Sequence, residues 1–228
     1  MAAPPAPPAQ KGGSLKKIFA IALAAFPTAV MADTSIGVRA GTLGLGIELS
    51  YPISQRLGVR LNADSFKYSR TFNQDNIDYD GKATLKTASL LADWYPFANN
   101  FRLSAGPLYN GNKLALSGKP TGGSFTINGN TYTAAEVGSL DGQVDFKKFA
   151  PYAGIGYGRP IGTGLSLTFD LGVVFQGTPQ ATLTATCGTT PNCAQLQSDA
   201  AAQQATLNDK IKDFRYYPVL SLGLAYTF

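Results

Sequence analysis

Histidine is absent from all 228 residues. That excludes Ser-His-Asp and Cys-His nucleophile arrangements, and with them the usual imidazole metal sites. Cysteine occurs twice and tryptophan once, and only 14% of residues are charged. Two cysteines without histidine leave a zinc site short of ligands. No carboxylate pair stands out by spacing, so no catalytic, cofactor-binding or metal-binding residue is expected. Apolar runs of helix length are missing too. Ile18 to Phe26 is too short to cross a bilayer as a helix. Beyond residue 32 any crossing has to be made by strands, and in lipid only a closed barrel satisfies their backbones.

The first residues that carry information are Lys16-Lys17, the apolar run to Phe26, and Val30-Met31-Ala32 before Asp33. A charged start, a short apolar core and a small-residue site are the parts of a cleavable signal peptide. The expected division is therefore 1–32, an N-terminal extension with its signal peptide, and 33–228, the mature domain. The Pro-rich stretch upstream fits poorly with a leader, so translation is expected to begin at Leu15 on a non-ATG codon. Lys11, Lys16 and Lys17 leave with the leader and take the net charge from +5 to +2. The basic balance therefore belongs to the precursor, and no nucleic-acid partner is expected.

What the mature chain has in quantity is alternation. At the C-terminus Phe214, Tyr216, Pro218, Leu220, Leu222, Leu224, Tyr226 and Phe228 share one face of an extended strand. Arg215, Tyr217, Val219, Ser221, Gly223, Ala225 and Thr227 share the other. The same two-residue period runs through Leu165–Gln176, Leu57–Asp64 and Phe149–Gly158. Connections alternate in length, with short turns at 52–55, 96–100 and 160–164 and long polar segments near 71–82, 117–143 and 178–213. The apolar parity changes at Ala40-Gly41-Thr42, which marks a tight hairpin or a bulge. A hairpin makes the strand count eight and puts both ends of the chain on one side, as an even number requires.

Apolar positions taken as lipid-facing leave Arg39, Glu48, Arg60, Asp64, Asp93, Arg102, Asp170 and Arg215 pointing inward, in an otherwise Ser, Thr, Asn and Gly interior. An eight-stranded barrel is just wide enough for its side chains to fill. Buried charges persist only when paired, so an ion-pair network plugging the lumen is expected. Tyr51, Trp94, Tyr95, Phe97 and Phe101 fall beside the short turns, where amphipathic rings suit a membrane interface.

The long segments carry three further signals. Cys187 and Cys193 are close in sequence and read as one disulfide in an oxidising compartment. It closes a small loop, so its stabilisation should be about 2 kcal/mol. Leu196, Ala200, Leu207 and Ile211 share a helical face within 194–212, which predicts a short helix over the mouth, as a binding surface or a lid. Asn128-Gly129 between β-formers predicts a hairpin extending the strands. Asp75, Asp78 and Asp80 offer oxygen ligands for a cation but read first as solvated acids, and the glycines of 41–46 and 154–158 as tight strand positions.

Ser221, Gly223, Tyr226 and Phe228 resemble the C-terminal assembly signal of Gram-negative outer-membrane barrels. With the alternation, the loop asymmetry and the leader, the mature chain is similar to the small outer-membrane barrel superfamily that includes the OmpA transmembrane domain, OmpX and OmpW. The resemblance implies an all-β, closed, antiparallel up-and-down transmembrane barrel of eight strands with long extracellular loops. It implies outer-membrane lipid, lipopolysaccharide and the assembly machinery as partners, and leaves an extracellular ligand open. The barrel enzymes of this class rely on a rim histidine, so a non-enzymatic role through the loops is expected first. A narrow, porin-like channel for small or hydrophobic solutes comes second, and a lipid-modifying enzyme last. No periplasmic peptidoglycan-binding domain is expected after Phe228.

Overall fold

Alternation of apolar and polar residues turns into long antiparallel strands joined mostly to their chain neighbours. A computed structural model describes residues 34–74, 77–189 and 192–228. The signal-peptide and translation-start readings, and Asp75, lie outside the described residues. The strands are β1 (Ser35–Gly41), β2 (Gly44–Pro52), β3 (Leu57–Gln74), β4 (Ile77–Trp94), β5 (Phe101–Asn110), β6 (Lys113–Pro120), β7 (Ser124–Ile127), β8 (Asn130–Thr133), β9 (Val137–Asp145), β10 (Phe149–Tyr157), β11 (Gly164–Phe175), β12 (Gln180–Cys187) and β13 (Tyr216–Thr227). One helix, α1 (Cys193–Ile211), precedes β13.

Eight of these strands close a ring of hydrogen-bonded neighbours, in the order β4-β3-β2-β1-β13-β11-β10-β5 and back to β4. The parity change at Ala40-Gly41-Thr42 resolves as a hairpin. Gly41 pairs with Gly44 across Thr42-Leu43, and β1 and β2 are separate strands. Thr42 then ties this turn to the last strand. Its hydroxyl donates to the Pro218 carbonyl at 3.0 Å. The Tyr217 hydroxyl donates to the Thr42 carbonyl. β13 lies between β1 and β11, with Val38 opposite Leu224 and Leu167 opposite Leu224 on the other side.

The long connections differ from the expectation of polar loops. β3 and β4 run 18 residues each without a break in pairing, far past the 9–11 that cross a membrane. β6 continues β5 in the same register against β4, and β9 continues β10 in the same register against β5 and β6. The strands therefore leave the ring as one sheet, β4-β6-β9-β12. Between β11 and β12 the register slips by one residue. Even-numbered residues face inside in β11 and odd-numbered ones in β12, with Gly177 at φ 69° in between. The 128–129 hairpin forms, with Asn128 and Gly129 both at positive φ. It is a separate two-stranded sheet rather than an extension of the ring strands, because its apolar face packs on α1. Ile127 and Tyr132 cluster there with Val137, Ala185, Leu196 and Ala200.

Candidate functional site

The inside of the ring is built by the inward residues of each strand. Arg60 on β3 is 1% exposed and its guanidinium reaches acids from three other strands. Nε and Nη2 donate to the two Asp93 oxygens at 3.0 and 3.1 Å. Nη1 donates to Asp170 at 2.8 Å and to Glu48 at 3.1 Å. Planar, fixed donors suit this role better than an ammonium would. Asp170 on β11 is shared, since Arg102 Nη2 donates to its other oxygen at 2.8 Å. Arg102 also donates to the Gly158 carbonyl. Arg39 sits 3.2 Å from Asp64 and 3.7 Å from Glu48. Ser104, Thr87 and Ser50 donate to Asp93, Asp64 and Glu48 respectively.

Room for these side chains comes from glycine. A Cβ on Gly156 would lie 2.8 Å from both Arg102 Nε and Asp170 Oδ1. On Gly46 it would run into the Asp64 carboxylate. Gly46 and Gly156 are thus strand positions beside charged neighbours, whereas Gly158 follows the end of β10 with φ 117°.

Seven of the eight residues expected inside are brought together: Arg39, Glu48, Arg60, Asp64, Asp93, Arg102 and Asp170. Arg215 is not among them. It lies just before β13, is exposed, and donates from Nε to the Lys212 carbonyl at 3.0 Å. Its parity matches the inward set, but the strand it would continue starts one residue later. Among the described residues the interior therefore holds three bases and four acids.

The interior is also less polar than expected. Toward the long connections Leu43, Leu91, Leu108, Ala150, Tyr152, Val174 and Val219 form a buried apolar cluster. Leu43, whose parity points outside, turns in at the hairpin tip and is 5% exposed. At the short-turn end Arg159 donates to the Ala98 and Gln55 carbonyls of two turns and lies over the Tyr95 ring, 5.1 Å from its centre. Tyr95, expected in an outward aromatic belt, is instead 3% exposed. Adjacent residues alternate faces, so with Trp94 outside at 49% exposure Tyr95 must point in. Tyr51 and Phe97 are exposed and Phe101 is half-buried. The space between Ser35, Glu48, Tyr95, Arg102 and Arg159 is about 10 Å³, room for one water at most.

Outside the ring, α1 performs a second task that the sequence pattern did not disclose. β12 ends the sheet, and a bare edge exposes unpaired backbone groups. Side chains of α1 take the place of a neighbouring strand. Gln204 accepts from the Leu183 N–H at 2.8 Å. Asn208 accepts from the Ala181 N–H at 2.7 Å and donates to its carbonyl at 3.1 Å. The Cys187–Cys193 disulfide joins the end of β12 to the start of α1.

Asp199 of α1 docks the β7-β8 hairpin. Tyr132 and Asn130 donate to its Oδ2, and Asn128 donates to Oδ1 at 3.2 Å. These hydrogen bonds, led by that of Tyr132, hold the Asp199 carboxylate down at about 2, and the same contact pushes the Tyr132 hydroxyl up to about 12. Asp78 and Asp80 accept from Asn73 and Thr71. Among the described residues no cluster of His, Cys, Asp and Glu has metal-ligand geometry.

Around the outside of the ring the residues are apolar and exposed, among them Val38, Leu45, Leu61, Leu90, Leu165 and Leu222 at 50–72%. Tyr226 and Phe228 stack edge-on at 5.3 Å beside them.

No protein-family model and no curated protein matches the chain. Among solved structures it is similar to Acinetobacter baumannii CarO, at 21% identity and a TM-score of 0.55, over 85% of this chain and 97% of that one. Acinetobacter baumannii CarO2 gives 21% identity and a TM-score of 0.54, over 86% and 98%. A major outer membrane protein from Thermus thermophilus is 17% identical with a TM-score of 0.45, over 86% and 99%. The two CarO likenesses extend over most of the chain, and this protein shares its fold with CarO.

Proposed function

We propose that this protein is a bacterial outer-membrane β-barrel with a sealed interior, working without enzymatic chemistry through the folded structure at its extracellular end. The observation that carries the reading is the filled lumen. Seven charged side chains interlock across it, and about 10 Å³ is left between Tyr95, Arg102 and Arg159. A pathway for solutes would need a continuous polar opening, and the apolar cluster around Tyr152 and Val219 stands above the charges.

The membrane location is supported by the exposed apolar band. Exposed apolar side chains on every strand of the ring, from Leu165 at 72% to Leu103 at 36%, are unsuited to water and suited to lipid. The leader-like sequence before Asp33 and the fold shared with CarO agree with export to that membrane. Short turns then face the periplasm, and the β4-β6-β9-β12 sheet with α1 faces outward. Outer-membrane lipid and lipopolysaccharide contact the band, and the assembly machinery grips β13 through Tyr226 and Phe228.

Liposome swelling tests the sealed reading. Refolded protein in vesicles should admit glycine and glucose no faster than empty vesicles. Swelling that rises with protein content would replace it with the narrow-channel reading.

A further inference from the structure

The β4-β6-β9-β12 sheet has two unlike faces. Ladder partners share a face, so Tyr79, Gly118 and Leu140 lie together, as do Gly81, Leu116, Gly142 and Leu183. On β4 this face continues the one that carries Asp93 and Leu91 inside the ring. Apart from Tyr79 it is aliphatic, and Leu207 of α1 closes one side to leave a groove of about 270 Å³. The opposite face carries Asp80, Lys82, Ser117, Lys119, Asp141 and Thr184.

Leu114 and Leu116 in the groove are 43% and 44% exposed. Membrane lipid does not cover them, because the lipid-side face of these strands is the polar one. Backbone crowding does not impose the groove either. A Cβ on Gly142 would sit 3.7 Å from its nearest neighbours, ordinary contact, unlike Gly46 or Gly156 inside the ring. The slot is therefore room that a side chain could have occupied. It is also pre-formed, since Gln204 and Asn208 fix α1 to the β12 edge.

Eleven residues line the groove, well under the 20–30 a side of a stable protein interface. The volume approaches the lower end of small-molecule sites, about 300 Å³. None of the lining side chains is charged, so an ionic group would lose its hydration without a partner. We infer that this groove binds a small uncharged aliphatic molecule taken from outside the cell, of the medium-chain alcohol or alkane class. The inference rests on the sealed, outward-facing reading above and names the ligand class for that end of the molecule.

Methyl NMR of leucine-labelled protein in lipid nanodiscs, titrated with 1-decanol, tests it. Saturable shifts are expected at Leu114, Leu116, Leu183 and Leu207, and Gly142→Leu, which fills the slot, should weaken them at least tenfold. Leu116→Asn, which adds a polar group without filling it, should weaken binding as well. Heat-modifiable mobility on unboiled gels checks that both variants are folded. Shifts only at bilayer-facing Leu61 and Leu90 would mean simple partitioning and overturn the site, as would equal shifts in Gly142→Leu. Shifts of Leu114 and Leu116 with protein concentration alone would give the groove to a second copy and overturn it too. Shifts at interior Leu91 and Leu108 would instead break the sealed-lumen reading, so the two failures are distinguishable.

Discussion

Asn208 of α1 faces Ala181 of β12 as another strand would, accepting its N–H at 2.7 Å and donating to its C=O at 3.1 Å. A helix thereby terminates a sheet edge that would otherwise be open to pairing with other chains. Asn208→Leu keeps the size and removes both hydrogen bonds. Loss of about 1–3 kcal/mol of local stability is expected from the unpaired backbone groups. Hydrogen exchange should speed up at Ala181 and Leu183 and stay unchanged at Leu222 in the ring.

Asp199 gives a pH signature at the same end. Its depressed pKa of about 2 means that the hairpin dock is fully present above the ordinary carboxylate value and is lost as pH falls through about 2. The raised Tyr132 hydroxyl works in the other direction, present below its usual 10 and lost as pH rises through about 12. Protease nicking at Asn128-Gly129 should therefore be flat from pH 5 to 8. Asp199→Asn should raise nicking throughout that range, whereas a pH-dependent wild type would contradict the dock.

Inside the ring, Arg60→Ala leaves Asp93, Glu48 and Asp170 short of their main partner. Removal of one member of a buried ion network costs about 3–5 kcal/mol. Urea unfolding of the protein in vesicles should show a loss of that size. Arg215→Ala, exposed and outside the network, should change the same midpoint little.

Gly172 reports on the apolar cluster. A Cβ there would lie 2.6–2.7 Å from the Tyr152 ring, so Gly172→Ala should destabilise by about 1–3 kcal/mol through overpacking. Tyr152→Ala creates a cavity alone, yet combined with Gly172→Ala it should cost less than the two separate effects added together. Strict additivity in that cycle would mean the ring does not lie across Gly172.

The physics of what the sequence discloses follows the two-residue period. Within β11 and β13 every second residue must share a face, so Asp170, Ser221 and the outward leucines are assigned from spacing alone. The pattern fails where strands begin, turn or slip. Arg215 precedes its strand and Leu43 occupies a hairpin tip, whereas Tyr95 obeys the period and departs only from the aromatic-belt expectation. Helical spacing places Leu196 and Ala200 on one buried face. That Gln204 and Asn208 would pair with the β12 edge depends on tertiary position, and no local period encodes it. The groove at Gly142 likewise arises from four strands placed side by side.

Single-channel recording of purified, refolded protein in planar bilayers tests the central claim most directly. A lumen interlocked by Arg60, Arg102 and Asp170 predicts no steady openings across the ordinary voltage range. Reproducible openings of one size from wild-type protein would contradict the sealed interior and, with it, the assignment of function to the outward-facing end.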